Sequence, residues 1–298
     1  MRETLLEELK GRLKGSFLQG VPMSRLTSFR IGGEAELIFR PRDEEDLLEA
    51  LEILERQGVP WRPLGGGTNL LVADEGVKGV LLDLRRAASF LEVEGSRVRV
   101  GAGASLAGLL LACIEGGLSG LEPLAGIPGT VGGAVKGNAG SGGVEIGNSL
   151  RAITVLSPRG KEERGAEDLP LSYRQGPLAS GEVLWEAVFQ LEEGETEEIR
   201  AKVEGFLEER KRRQPLGLPS AGCIFKNPPG LYAGKLIEEV GLKGLRRGGA
   251  MISELHANFI VNLGGATFGD VMGLIETAKE RVLREQGVEL ELEIEVWA

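Results

Sequence analysis

The stretch Leu121 to Gly143, LEPLAGIPGTVGGAVKGNAGSGG, constrains this chain more than any other, because its backbone must pass very close to something. Eight of the eighteen residues from Gly126 to Gly143 are glycine. Such a run removes side chains where a ligand approaches, permits positive φ, and turns successive N–H groups toward one point, which suits a phosphate. A flexible linker would be serine-rich. Here Ile127, Val131, Ala134, Val135 and Ala139 alternate with the glycines, as in a packed turn.

The 298 residues suffice for roughly two or three domains with sizeable cores. A net charge of −10 opposes nonspecific binding to nucleic acid or to an acidic membrane surface, so an anionic ligand has to be held by local donors. The opening MRETLLEELKGRLKG is a mixed-charge amphipathic segment without the apolar core of a signal peptide. No apolar run reaches the ~18–20 residues of a membrane span. Two cysteines and one histidine exclude a disulfide framework, a cysteine or histidine metal cluster and a Ser-His-Asp hydrolase. The expectation is a cytoplasmic, monomeric protein with no metal.

Ala35, Leu37 and Phe39 alternate as in a strand. A helix follows, N-capped by Asp43, with Leu47, Leu48, Leu51 and Leu54 at helical period and Gly58 just past its end. WRPLGGGTNLLV then joins two apolar runs through a glycine triplet, and FLEVEG with RVRVGAG reads as a hairpin. Ser105 to Gly117 reads as a helix with Cys113 on its buried face. Beyond the glycine run, AITVLSP and VLWEAVFQLEEG read as strands, the second with Val183, Trp185, Ala187, Phe189 and Leu191 on one face. A long charged helix from Thr196 to about Arg213 carries the stripe Ile199, Val203, Phe206 and Leu207. A helix near Ala233 to Val240, the strand-like HANFIVN, a helix opened by the capping box Thr267/Asp270, and a terminal strand VELELEIEVW complete the chain. The order is thus β-α-β and then more β, a β-rich block followed by a third region.

Neither familiar phosphate loop fits. The Walker A spacing is missing, and Gly101-Ala-Gly103 has Leu106 where a dinucleotide fingerprint needs its third glycine. Two other glycine loops, about sixty residues apart, Gly65-Gly66-Gly67-Thr68-Asn69 and Gly126 to Gly140, could hold a diphosphate from two sides. Together PLGGGTNLLV, GIPGTVGGAVKGNAG, LSYRQ, AGCIFKNP, LHANFIVN and the terminal LEIEV, in this order across nearly the whole chain, resemble the UDP-N-acetylenolpyruvoylglucosamine reductase family.

That resemblance implies a two-domain FAD-binding module of the vanillyl-alcohol-oxidase (PCMH) type, spanning 1–64 and 65–193, and an α+β substrate-binding domain over 194–298. It implies noncovalent FAD held by Gly65, Gly66, Gly67, Thr68, Asn69, Gly126, Ile127, Pro128, Gly129, Thr130, Gly133, Asn138, Ala139 and Gly140. It also implies NADPH as co-substrate and UDP-N-acetylglucosamine enolpyruvate as substrate, with hydride passing through flavin to the enolpyruvyl methylene. Arg174 matches the family's carboxylate-binding arginine, a planar donor suited to bidentate contact. Cys223 stands where the family usually has the serine that protonates the adjacent carbon, and a thiol is the more acidic donor. On the terminal strand four glutamates share one face, and only the family spacing singles out Glu295. Tyr173, Arg213, Lys226 and Asn227 are the implied substrate contacts. Arg30 falls at the entrance of the flavin domain and His256 carries a structural role. The short connection Gly230 to Gly249 points to the family form without a tyrosine-bearing lid. The alternatives are another flavin oxidase of the same superfamily, many of which attach flavin through a histidine whereas His256 lies outside both glycine loops, and a nucleotide sensor without turnover, from which Arg174, Cys223 and Glu295 distinguish the enzyme.

Overall fold

The computed structural model describes residues 3–298, so the first two residues of the N-terminal amphipathic segment lie outside the described residues. The chain folds into two compact units. The first gathers the segment ending at Gln19 with Glu36–Gly66 and Lys78–Glu208; the second gathers Gly20–Ala35, Gly67–Val77 and Glu209–Ala298.

In the first unit, helix α1 (Glu3–Arg12) and helix α2 (Glu44–Arg56) pack on a sheet. Its strands run in the spatial order Ser16–Leu18, Glu34–Arg40, Val77–Asp83, Trp61–Leu64. Asp43 caps α2 by accepting from the Asp46 N–H, and Gly58 leaves the helix at φ +62°, as the sequence leads one to expect. Leu37, Phe39, Leu47, Leu51, Leu54 and Leu82 form the core between these layers. Trp61–Leu64 runs parallel to Val80–Asp83 and sets Leu64 beside Asp83, so the loop Gly65–Gly66 leaves from an anchored strand end.

The second sheet of this unit has the order Gly160–Gly165, Leu150–Ser157, Val183–Gln190, Arg97–Gly101, Leu91–Glu94, antiparallel throughout. Helix α3 (Leu106–Glu115), capped by Ser105, buries Leu106, Leu109, Leu110 and Cys113 against it. The central strand corrects one sequence expectation. Val183 and Trp185 face the first core whereas Ala187, Phe189 and Leu191 face the second. The register slips where Thr154 pairs Glu186 and Val155 pairs Leu184, and a bulge of this kind reverses the side-chain alternation.

The glycine run holds a short helix, α4 (Val131–Lys136), which the sequence pattern does not announce. Val131, Ala134 and Val135 are its buried face. Gly132 lets it lie on the neighbouring strand, since a Cβ there would come 2.9 Å from the Ala102 Cβ. Helix α5 (Thr196–Arg213) matches its expected extent and buries Ile199 and Val203, with Phe206 against the same core. Leu207, expected on that stripe, is 43% exposed instead, because it lies on the flank of the Ile199/Val203 face.

In the second unit helices α6 (Ala233–Glu239) and α7 (Phe268–Gln286) pack on the sheet Ser220–Cys223, Phe259–Asn262, Ala250–Ile252, Arg246–Arg247. The capping box Thr267/Asp270 is present in both directions. Only Glu295–Trp297 of the expected terminal strand is regular, pairing parallel with Leu70–Val72. Upstream, the extended segment instead bonds the chain near Cys223: the Lys226 N–H donates to Glu291 O and the Glu293 N–H donates to Ile224 O. One strand is thus divided between two partners, while Leu290 and Ile294 stay buried as the alternation requires.

Asp83, 3% exposed, anchors the strand end below the first glycine loop. It accepts from Arg40 Nε (2.9 Å) and from Arg85 Nε and Nη2 (both 2.8 Å). Burial alone would raise its pKa, but the hydrogen bonds from Arg85 and Arg40 outweigh it and hold the carboxyl below its ordinary value. The stabilisation is therefore complete above about pH 5 and is lost as pH falls through the lowered pKa, below about 4. Asp83→Asn is expected to cost about 2–3 kcal/mol at pH 7. Urea unfolding of both proteins checks this: the difference should narrow steadily below about pH 4.

Candidate active site

The two glycine loops meet within the first unit. A Cβ on Gly66 would lie 2.7 Å from the Gly129 Cα, and one on Gly65 would lie 2.6 Å from the Thr130 Oγ1. Gly126 and Gly129 have φ of +76° and +114°, which an L side chain resists. Side chains are thereby cleared from both loops, leaving a backbone surface of the kind that a pyrophosphate requires. These residues fit FAD. Thr130 caps α4 through its Oγ1, and Ile127 and Ala139 pack on the core beneath. Pro128 and Gly133 are exposed.

After Gly66 the chain enters the second unit. There Gly67 is pinned: a Cβ would fall 2.0 Å from the Leu26 carbonyl oxygen. Half-buried Thr68 leads to Asn69, whose Nδ2 donates to Glu293 O (3.0 Å) and whose carbonyl accepts from the Glu295 N–H (2.9 Å). Asn69 thus holds the segment that carries Glu295. The Glu295 Oε2 accepts from the Trp297 indole N–H at 3.3 Å. The four glutamates that periodicity left equivalent are now distinct. Glu289 and Glu291 are exposed, Glu291 faces Lys226 at 3.6 Å, and Glu293 and Glu295 are half-buried.

Cys223 is half-buried at the end of Ser220–Cys223. The register with the next strand slips between Ser220 and Cys223, and Gly222 sits there at φ +82°. This glycine bulge sets the direction of the thiol. Asn258, which the sequence reading passed over, secures the residues that follow. Its Oδ1 accepts from the Phe225 N–H (2.9 Å), its Nδ2 donates to Phe225 O (2.8 Å), and its carbonyl accepts from the Ile224 N–H (2.8 Å). The signal was present in HANFIVN, where two asparagines interrupt an apolar strand and, once buried, need partners. Asn227 Oδ1 accepts from the Ala233 N–H at the start of α6. Arg213, at the end of α5, pairs with Glu209 one turn back.

Tyr173 and Arg174, in the first unit, form the tip of a two-residue turn closed by reciprocal backbone bonds between Ser172 and Gln175, both 3.0 Å. Arg174 is left-handed at φ +57°, a rare conformation for arginine. Its Nη1 donates to Gly140 O (3.1 Å), and its guanidinium lies 5.4 Å from the centre of the Tyr173 ring. Arg30 is exposed and also left-handed, at φ +57°. His256 is half-buried, with Nδ1 accepting from the Asn258 N–H. Burial, helped by Lys243 and Arg213, lowers its pKa, so it is neutral at pH 7. Among the described residues no cluster of His, Cys, Asp or Glu is suited to a metal ion, and no helix is long and apolar enough to cross a membrane.

Known proteins resemble this chain along most of its length. The model of an FAD binding domain matches residues 35–165, and that of the C-terminal domain of UDP-N-acetylenolpyruvoylglucosamine reductase matches 214–297. The reductase of that name from Moorella thermoacetica is 44% identical over 98% of this chain and 97% of its own length. The crystal structure of UDP-N-acetylenolpyruvylglucosamine reductase (MurB) from Thermus caldophilus superposes with a TM-score of 0.82 at 40% identity, covering 96% of this chain and all of its own. An alkyldihydroxyacetonephosphate synthase, 20% identical, shares the fold over 65% of this chain and 41% of its own length, with a TM-score of 0.50.

Two substitutions separate a backbone contact from a side-chain contact at the paired loops. Gly66 does not have a positive φ, so Gly66→Ala meets only the Gly129 backbone, which cannot step aside; about 1–3 kcal/mol of stability should be lost along with most bound flavin. Gly65→Ala meets the movable Thr130 hydroxyl and should retain more flavin. Flavin content and thermal unfolding of the two variants check the order.

Proposed function

Because this chain belongs to the UDP-N-acetylenolpyruvoylglucosamine reductase family, we propose that it reduces UDP-N-acetylglucosamine enolpyruvate to UDP-N-acetylmuramate, a peptidoglycan precursor, with FAD as cofactor and NADPH as co-substrate. The observation that carries the proposal is the pairing of Gly65 and Gly66 with Gly129 and Thr130 inside the segment matched by the FAD-binding model. When bound, FAD supplies the hydride that reaches the enolpyruvyl methylene carbon, having accepted it from NADPH.

The chain's own residues serve the rest of the reaction. Negative charge builds up beside the substrate carboxylate, and a fixed guanidinium lowers the energy of that state without reorganising; this is the role proposed for Arg174. Cys223 Sγ–H delivers the proton to the carbon next to the carboxylate, and the resulting thiolate recovers its proton from water. Glu295, oriented by the Trp297 indole, is proposed to orient the enolpyruvyl carboxylate. Tyr173, Lys226, Asn227 and Arg213 are proposed for the sugar nucleotide. The segments 1–64 and 65–193 are proposed to hold FAD and 194–298 the substrate, with Tyr173 and Arg174 the substrate contacts proposed from the FAD-binding part. We also propose a cytoplasmic location, since the substrate is a cell-wall precursor.

The half-reactions test these roles separately. Cys223→Ala should leave reduction of the flavin by NADPH intact and slow its reoxidation by the enolpyruvyl substrate by about 10²-fold or more, and Cys223→Ser should recover much of that loss. Stopped-flow absorbance reads both steps. Reoxidation of Cys223→Ala at the wild-type rate would remove the thiol from the mechanism. Arg174→Ala should be impaired in the same half-reaction by a comparable factor.

A further inference from the structure

Arg174 is held in place by the glycine run, from a distance of more than thirty residues along the chain. Asn138, only 1% exposed and left-handed at φ +41°, is the centre of that grip. Its Nδ2 donates to Ser172 O at 2.9 Å and to Glu145 Oε2 at 2.6 Å, and its Oδ1 accepts from the Gly147 N–H at 3.1 Å. Both amide hydrogens are therefore committed inside the protein. Ser172 O is also the acceptor for the Gln175 N–H that closes the turn, so Asn138 bonds the turn at its base.

The tip is gripped by the same loop. Gly140, two residues after Asn138, accepts from Arg174 Nη1. The exit is fixed as well: the Gly176 N–H donates to Lys136 O at 3.0 Å, and a Cβ on Gly176 would fall 1.9 Å from Val135 O. A left-handed arginine persists only where its surroundings over-determine it. Here base, tip and exit are all set by residues 135–140.

We propose that Asn138 is a positioning residue for Arg174. Its side chain fixes the Ser172–Gln175 turn so that the guanidinium is presented in one orientation, while its backbone stays part of the flavin cradle. The proposal rests on the reading of Arg174 as the carboxylate-binding group. A purely local role, bracing the glycine run alone, would leave Arg174 indifferent to the loss of the amide.

Asn138→Gly is the informative variant, because glycine keeps the left-handed backbone and removes only the side chain. In the FAD-loaded, NADPH-reduced enzyme, reoxidation by the enolpyruvyl sugar nucleotide should slow about 10- to 100-fold relative to wild type. That loss should appear in the limiting rate more than in the substrate concentration dependence. Combined with Arg174→Ala it should add almost nothing, since both changes remove one function. A readout without catalysis comes from native-state trypsin digestion. Cleavage after Arg174 should be at least tenfold faster in Asn138→Gly than in wild type, with cleavage elsewhere unchanged. Losses that multiply in the double variant, or unchanged cleavage after Arg174, would overturn the proposal. Failure of the underlying reading is recognised separately, because Arg174→Ala would then reoxidise at the wild-type rate whatever Asn138 does.

Discussion

The backbone contact between Gly66 and Gly129 is the constraint on which the first unit turns. A Cβ on Gly66 would strike the Gly129 backbone, and Gly129 is held at φ +114°, so two loops separated by about sixty residues are fixed side by side with glycine at the contact. Everything beneath serves this meeting. The Leu64/Asp83 strand end, tied by Arg40 and Arg85, launches one loop, and the apolar face of α4 seats the other on the second core. A cofactor with a pyrophosphate is the ligand for which such a surface is suited, which is consistent with the FAD-binding model that spans both loops.

Each loop continues into an asparagine with a second task. Asn69 bonds the Glu293–Glu295 segment in the second unit, and Asn138 bonds the Ser172–Gln175 turn in the first. The residues proposed for flavin are therefore joined by hydrogen bonds to segments that bear Glu295 and Arg174. Placement of the cofactor loops and placement of the two charged groups are consequences of the same local folding. Cys223 is set by other means, the Gly222 bulge and the Asn258 clamp, within the sheet of the second unit.

Much of this was legible in the sequence because it rests on local chemistry. The Asp43 and Thr267 caps, the buried face of Cys113 and the extent of the helix Thr196–Arg213 all follow from short-range periodicity and capping. The pairing of the two glycine loops was also foreseen, from their composition. What periodicity missed depends on distant partners. The reversal of face between Trp185 and Ala187 comes from a register slip against Leu150–Ser157. The terminal strand is shortened because its residues divide their hydrogen bonds between Asn69 and the chain near Cys223. The grip of residues 135–140 on Arg174 joins segments more than thirty residues apart, through side-chain amides whose partners no spacing rule names.

The roles proposed for the glycine loops, for Arg174 and for Cys223 share one premise, that a flavin mediates between a nicotinamide and an enolpyruvyl ether. Anaerobic absorbance of the purified flavoprotein tests that claim most directly, with NADPH added first and UDP-N-acetylglucosamine enolpyruvate second. One equivalent of NADPH is expected to bleach the visible flavin band, and the sugar nucleotide to restore it completely, yielding UDP-N-acetylmuramate in equal amount. A flavin that NADPH reduces but that stays bleached in the presence of the sugar nucleotide would contradict that claim.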